Sequence, residues 1–233
     1  EHARSGLGWE SLSNYALVDV NSTNVAQIES CAKCHARRSM VHPYHHAGDR
    51  FLDHFLPEVT QPWSPEMQAP TYHVDGQIDD EVYVYGSYIQ SKMYHQGVKC
   101  TDCHDAHTTK LYHYDNQLCT RCHMPDDKNP AGYDNPGHHF HEMGTAGASC
   151  VECHMPHKKY MVIDDRRDHS IRIPRPDLSA KFGHPNACNN CHSDKSFEWA
   201  AKAIERVKGP SRPKEVRHPA AFHRFRVGGA DAE

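Results

Sequence analysis

The chain has 233 residues, a formal net charge of −4 and 37% hydrophobic residues. A charge this small gives no reason to expect nucleic acid or an anionic membrane as partner. No stretch approaches the roughly 20 consecutive apolar residues that cross a bilayer, and runs such as Tyr160 to Ile163 are far shorter. A mean hydropathy of −0.82 leaves too little apolar side chain for an ordinary core, so something else is expected to fill the interior. The first residue is Glu1 rather than Met, which reads as a processed, mature form.

In chain order, residues 1–30 carry no recognisable motif and read as an N-terminal arm or cap. A Cys-Ala-Lys-Cys-His run follows at 31–35. Residues 51–70 hold four prolines, at 57, 62, 65 and 70, and are expected to be irregular coil. Asp79-Asp80-Glu81 offers a helix cap and an acidic first turn. The spacing of Val82, Tyr85, Ile89 and Met93 then predicts a helix ending at Gly97. Its tyrosines are read as packing groups. Asp75, Asp79, Asp80 and Glu81 have the oxygen donors of a calcium site, but a solvated helix start is the preferred reading. A second helix is predicted from about Ser196 to Val207, stopped by Gly209-Pro210. Residues 209–233 contain three prolines and four arginines, and read as an extended tail, either free or docked on another subunit.

All ten cysteines fall in one repeated pattern: Cys31-Ala-Lys-Cys34-His35, Cys100-Thr-Asp-Cys103-His104, Cys119-Thr-Arg-Cys122-His123, Cys150-Val-Glu-Cys153-His154 and Cys188-Asn-Asn-Cys191-His192. C-x-x-C-H is the attachment signature of c-type haem. Two thiols three positions apart lie on one side of a helical turn, where they can form thioethers to one porphyrin. The following His then meets the iron as proximal ligand. Structural zinc and disulfides give no reason for a His after every pair. Five covalent haems c are therefore expected. Such attachment takes place outside the cytoplasm, so a periplasmic or cell-surface location is expected.

Each iron needs an occupant on its far side. The chain has 22 histidines, so bis-histidine ligation is expected throughout. Met124 and Met155 follow their own motifs too closely to reach round. The candidate distal ligands are His73, His107, His138, His139, His141 and His169. His42, His45, His46, His54, His95, His113, His157 and His184 are held in reserve. The expected fold is mostly irregular coil with short α-helices wrapped around a stack of five haems, with little β. The haem domain runs over 31–208, between the arm at 1–30 and the tail at 209–233. Porphyrin surface replaces the missing side-chain core.

From Cys31 to about Val207 the sequence resembles a multihaem cytochrome module often found ahead of tetratricopeptide repeats. The stretches that carry the likeness include Tyr72-His73-Val-Asp-Gly-Gln-Ile, Glu81-Val-Tyr-Val-Tyr-Gly-Ser-Tyr-Ile-Gln-Ser-Lys-Met and Asp102-Cys103-His104-Asp-Ala-His107. Further matches are His138-His139-Phe140-His141, Tyr160-Met-Val-Ile-Asp-Asp-Arg-Arg-Asp-His169-Ser and Pro185-Asn-Ala-Cys188. The resemblance implies that His73, His107, the 138–141 cluster and His169 sit where that family keeps its non-motif histidines. The chain departs from the family by lacking upstream haem motifs and the repeats, so partner binding through repeats is not implied. In size and haem density it is also similar to subunits of extracellular cytochrome filaments.

The function expected is electron transfer rather than catalysis, as a periplasmic carrier or a filament subunit, with redox proteins or copies of itself as partners. The alternative is a multihaem reductase of a small nitrogen or sulfur oxyanion. The pentahaem nitrite reductases use Lys in place of one motif His, and none of the five motifs here ends in Lys.

Overall fold

A computed structural model describes residues 19–58 and 71–209. The expected arm up to residue 18, the proline-rich stretch 59–70 and the tail from 210 lie outside the described residues.

Helix α1, Asn24–His35, starts where the Thr23 hydroxyl accepts the Ala26 N–H, and ends with Lys33 and His35 in its last turn. Basic groups there suit the negative end of the helix dipole. The residues just before the first motif thus belong to the helix that carries it.

Next come β1 (Arg38–Met40), α2 (Phe51–His54) and β2 (Phe55–Pro57), with β1 and β2 paired antiparallel from Arg38↔Pro57 to Met40↔Phe55. The coil expected from 51 is corrected here for its first seven residues. Pro57 closes the strand rather than interrupting it, and Glu29 on α1 accepts the Phe51 N–H at 3.1 Å.

The single helix predicted from 79 to 97 is also corrected. Two short helices form, α3 (Tyr85–Tyr88) and α4 (Lys92–His95). Ser91 accepts the Tyr94 N–H at 3.0 Å and starts a new helix, as a hydroxyl at an N-cap does. The acidic run caps nothing, because cations take its carboxylates: Lys158 binds Asp79 at 2.9 Å, Arg166 binds Glu81 at 2.8 Å and Arg172 binds Asp75 at 3.3 Å.

Short helices α5 (Gln117–Thr120), α6 (Pro136–His139) and α7 (Cys150–His154) follow, then the antiparallel hairpin of β3 (His157–Tyr160) and β4 (Asp164–Arg167). Helices α8 (Pro176–Phe182), α9 (Ala187–Cys191) and α10 (Phe197–Lys208) complete the described chain. The last of these matches the predicted helix to within a residue at each end. Gly183 ends α8 at φ +77°, a left-handed position that glycine takes without strain.

The architecture is mostly coil and short helix with two small ribbons, as expected. Among the described residues, two small clusters hold most of the buried apolar side chains. One joins Ile28, Ala32, Phe51, Phe55, Tyr85 and Tyr88, and the other Tyr72, Ile78, Val82 and Tyr160. In the second, Gly86 makes room for the Tyr72 hydroxyl, which would lie 2.1 Å from any Cβ at that position. Helix α10 packs on α8 through fully buried Ala200. Its first turn hangs on the Ser196 hydroxyl, which accepts the Trp199 N–H at 3.2 Å. Replacing Ser196 by Ala should therefore cost about 1 kcal/mol, measurable as a lowered midpoint in denaturant unfolding of the native protein.

Candidate functional site

The five motifs share a local geometry. In the second, third and fifth, the His N–H bonds back to the carbonyl of the first Cys at 2.9 Å, at His104–Cys100, His123–Cys119 and His192–Cys188. The first and fourth motifs lie within α1 and α7. One helical turn therefore presents both sulfurs and the imidazole together. None of the ten cysteines forms a disulfide. Burial raises Cys103 and Cys188, and pushes Cys153 up to about 11.

Three motif imidazoles face a second imidazole from a distant part of the chain. His104 faces His169 with ring centroids 6.4 Å apart and planes 25° apart. His154 faces His138 at 6.1 Å and 13°. His192 faces His141 at 6.1 Å and 27°. Two imidazole nitrogens bound about 2 Å either side of one metal put their ring centroids roughly 6 Å apart. Rings in face-to-face contact would be at about 4 Å. The donors converge in twos, and no group of three or more forms among the described residues. Two is the number a porphyrin iron leaves to the protein.

The second ring nitrogen fixes the tautomer. Nδ1 of His169 lies 3.0 Å from the Arg167 carbonyl, that of His154 2.9 Å from the Arg172 carbonyl, and that of His141 2.5 Å from the His139 carbonyl. A carbonyl only accepts, so Nδ1 carries the proton and Nε2 keeps the lone pair that a metal needs. Burial also lowers the pKa of His169 and His138, against the Arg167 carbonyl in the first case and reinforced by Lys208 in the second. Both rings are thus held neutral, the ligating form.

The other candidates are placed differently. His139 accepts the His141 N–H on Nδ1 at 3.3 Å and turns Nε2 to the Met143 sulfur at 3.3 Å. It faces no motif imidazole among the described residues. His107 is exposed, its backbone N–H held by Asp105 at 2.8 Å. His73 is lowered by burial, against Asp79 and Asp75. Its Nε2 has no hydrogen-bond partner, since Asp79 Oδ1 at 3.2 Å lies off the bonding direction. Among the described residues, His35 and His123 face no second imidazole at the 6 Å spacing. Tyr133 stands edge-on to His123 at 5.9 Å and to His138 at 5.1 Å.

Two contributors escape sequence reasoning, and a third, His184, is held there only in reserve. Gly147 lies against the His141 ring, whose Cδ2 would be 2.3 Å from a Cβ there. Trp199 on α10 packs on His192 at 5.1 Å. His184 is only 4% exposed, its Nδ1 is 3.1 Å from the Pro185 carbonyl, and its Nε2 is buried without a partner. That is the pattern of the paired histidines, and its ring lies 6.4 Å from that of His73. The Pro after His184 was the one available signal, since it places the carbonyl beside the ring.

Among solved structures, the chain is similar to the crystal structure of an outer cell wall cytochrome, OcwA, with a TM-score of 0.58 and 16% identity. The match covers 86% of this chain and 55% of that one. The chain shares the fold of that cytochrome over most of its length. It spans little more than half the length of that neighbour. No protein-family model and no curated protein matches it, so the likeness to the repeat-associated module stands on the motifs quoted above.

Replacing Gly147 by Ala should force the His141 ring aside and open one iron, detectable as carbon monoxide uptake by a single haem with the covalent haem content unchanged. His139→Ala should leave that spectrum as it was.

Proposed function

We propose that this protein is an electron-transfer cytochrome carrying five covalently attached haems c, with imidazole on both faces of each iron. The observation that carries the reading is the three imidazole pairs at 6.1–6.4 Å, each joining a motif histidine to a remote one. Cys31, Cys34, Cys100, Cys103, Cys119, Cys122, Cys150, Cys153, Cys188 and Cys191 hold the porphyrins. His35, His104, His123, His154 and His192 are the proximal ligands. His169, His138 and His141 are the distal ligands opposite His104, His154 and His192.

His73 is assigned to one of the two positions opposite His35 and His123, and His107 is the sequence candidate for the other. The support for His73 is its buried, unpartnered Nε2. His184, with the same property, is its competitor.

When bound, each haem supplies one reversible iron(III)/iron(II) couple. His104 with His169, His154 with His138 and His192 with His141 would each hold an iron between two imidazoles and leave a substrate no place on it, and backbone carbonyls orient His169, His154 and His141. Transfer without bond-making chemistry is what this arrangement favours. An extracytoplasmic location goes with thioether attachment, and the similar OcwA is described as an outer cell wall protein. No helix among the described residues is long and apolar enough to cross a membrane.

The test is spectroscopic. The purified native protein should carry five haems by intact mass, show a low-spin spectrum and leave that spectrum unchanged under carbon monoxide or nitrite. A large high-spin fraction that binds nitrite would overturn the reading in favour of a reductase. Among the variants His73→Ala, His107→Ala and His184→Ala, the two that name true ligands should each make a single haem reactive to carbon monoxide. Chemically stripped of haem, the chain should lose its fixed structure by circular dichroism, because its own clusters bury little apolar area.

Assembly into an extracellular filament is the finer form of the proposal. Regular filaments of native protein in electron microscopy would support it, and discrete particles would reduce the function to a soluble carrier.

A further inference from the structure

We infer that the five haems form a single unbranched file in sequence order, so that only the haems of the first and fifth motifs are terminal. This rests on the five-haem reading above and adds the route.

The motif segments touch in sequence order. Between the first and second, the Cys31 and Cys100 side chains are neighbours. Beside them Gln27 on α1 accepts the Thr101 N–H at 3.1 Å and donates to the Thr101 hydroxyl at 2.9 Å. Between the second and third, the Arg121 guanidinium donates to the Asp102 carbonyl at 3.0 Å, and Cys103 lies in the fields of Arg121 and Cys122. Between the third and fourth, the Cys119 and Cys150 thiols meet. There Asn116 bonds at both ends, accepting the Cys150 N–H at 2.8 Å and donating to the Ala148 carbonyl at 2.9 Å. Between the fourth and fifth, α7 packs on α9, and Cys153 lies in the fields of Cys188 and Cys191.

Each porphyrin is bonded to its own cysteine pair, so thiols that touch bring thioether-bearing edges together. All four junctions join sequence neighbours. The distal histidines do not contradict this. His169, although it follows the fourth motif in sequence, returns to the second, where it faces His104. Tyr133 spans the third and fourth sites by touching both His123 and His138. An unbranched file makes the middle haem obligatory for any electron crossing the molecule. It also gives external redox proteins two places of exchange, beside α1 at one end and beside α9 and α10 at the other.

The experiment is an iron map of the holoprotein, by anomalous diffraction at the iron edge or by cryo-electron microscopy. The expected result is five irons in which each haem contacts only the haems of adjacent motifs. Five bis-histidine haems in another order, or direct contact between haems of non-adjacent motifs, would overturn the file and leave the proposed function standing. Fewer haems, or irons lacking a second imidazole, would overturn both.

Discussion

The requirement that two imidazoles approach one point from opposite sides, about 6 Å apart between ring centres, organises this molecule. Helix propensity contributes little: most helices are four or five residues long, too short to be stable by themselves. The side-chain clusters are small. What a chain of this composition can do is fix backbone turns around rings. At His141, His154 and His169 it uses one device, a carbonyl that takes the Nδ1 proton and leaves Nε2 for metal. Three different connections reach the same electronic state because imidazole has only two useful nitrogens.

That constraint accounts for the loop-rich architecture. A distal ligand must cross to the far face of its porphyrin, so it comes from elsewhere in the chain than the motif. The 138–141 segment serves two sites at once, and the left-handed Phe140 at φ +65° turns the chain between His138 and His141. The connection after the fourth motif runs back through the β3–β4 hairpin, whose Lys158 and Arg166 bind Asp79 and Glu81. These cross-links tie the long insert between the first two motifs to the segment that delivers His169. Exposed ion pairs add little stability singly, so their role is to set position.

Sequence reading did best where covalent chemistry forces adjacency. The cysteine spacing is matched by five one-turn segments that bring each Cys-x-x-Cys-His together, and the glycine and serine punctuation around 196–209 determined the final helix. It failed where a local signal met a stronger tertiary partner. Asp79-Asp80-Glu81 has the look of a helix cap, yet cations more than 70 residues away bind two of those three carboxylates. Gly147 carries no sequence signal at all, since nothing in a lone glycine tells that an imidazole from six residues earlier will lie on its Cα.

The sequence by itself determined that the ten cysteines stand in five pairs, each followed by a histidine, the spacing that the proposed thioether and axial bonds need within one helical turn. It also determined that the fold is coil around cofactor, because the apolar content is too low for anything else. Only the tertiary structure decided which remote histidine faces which motif, and that the motif segments touch in the order I to V. Both depend on how long connections cross in space, and a pairing between residues dozens of positions apart leaves no mark in local spacing.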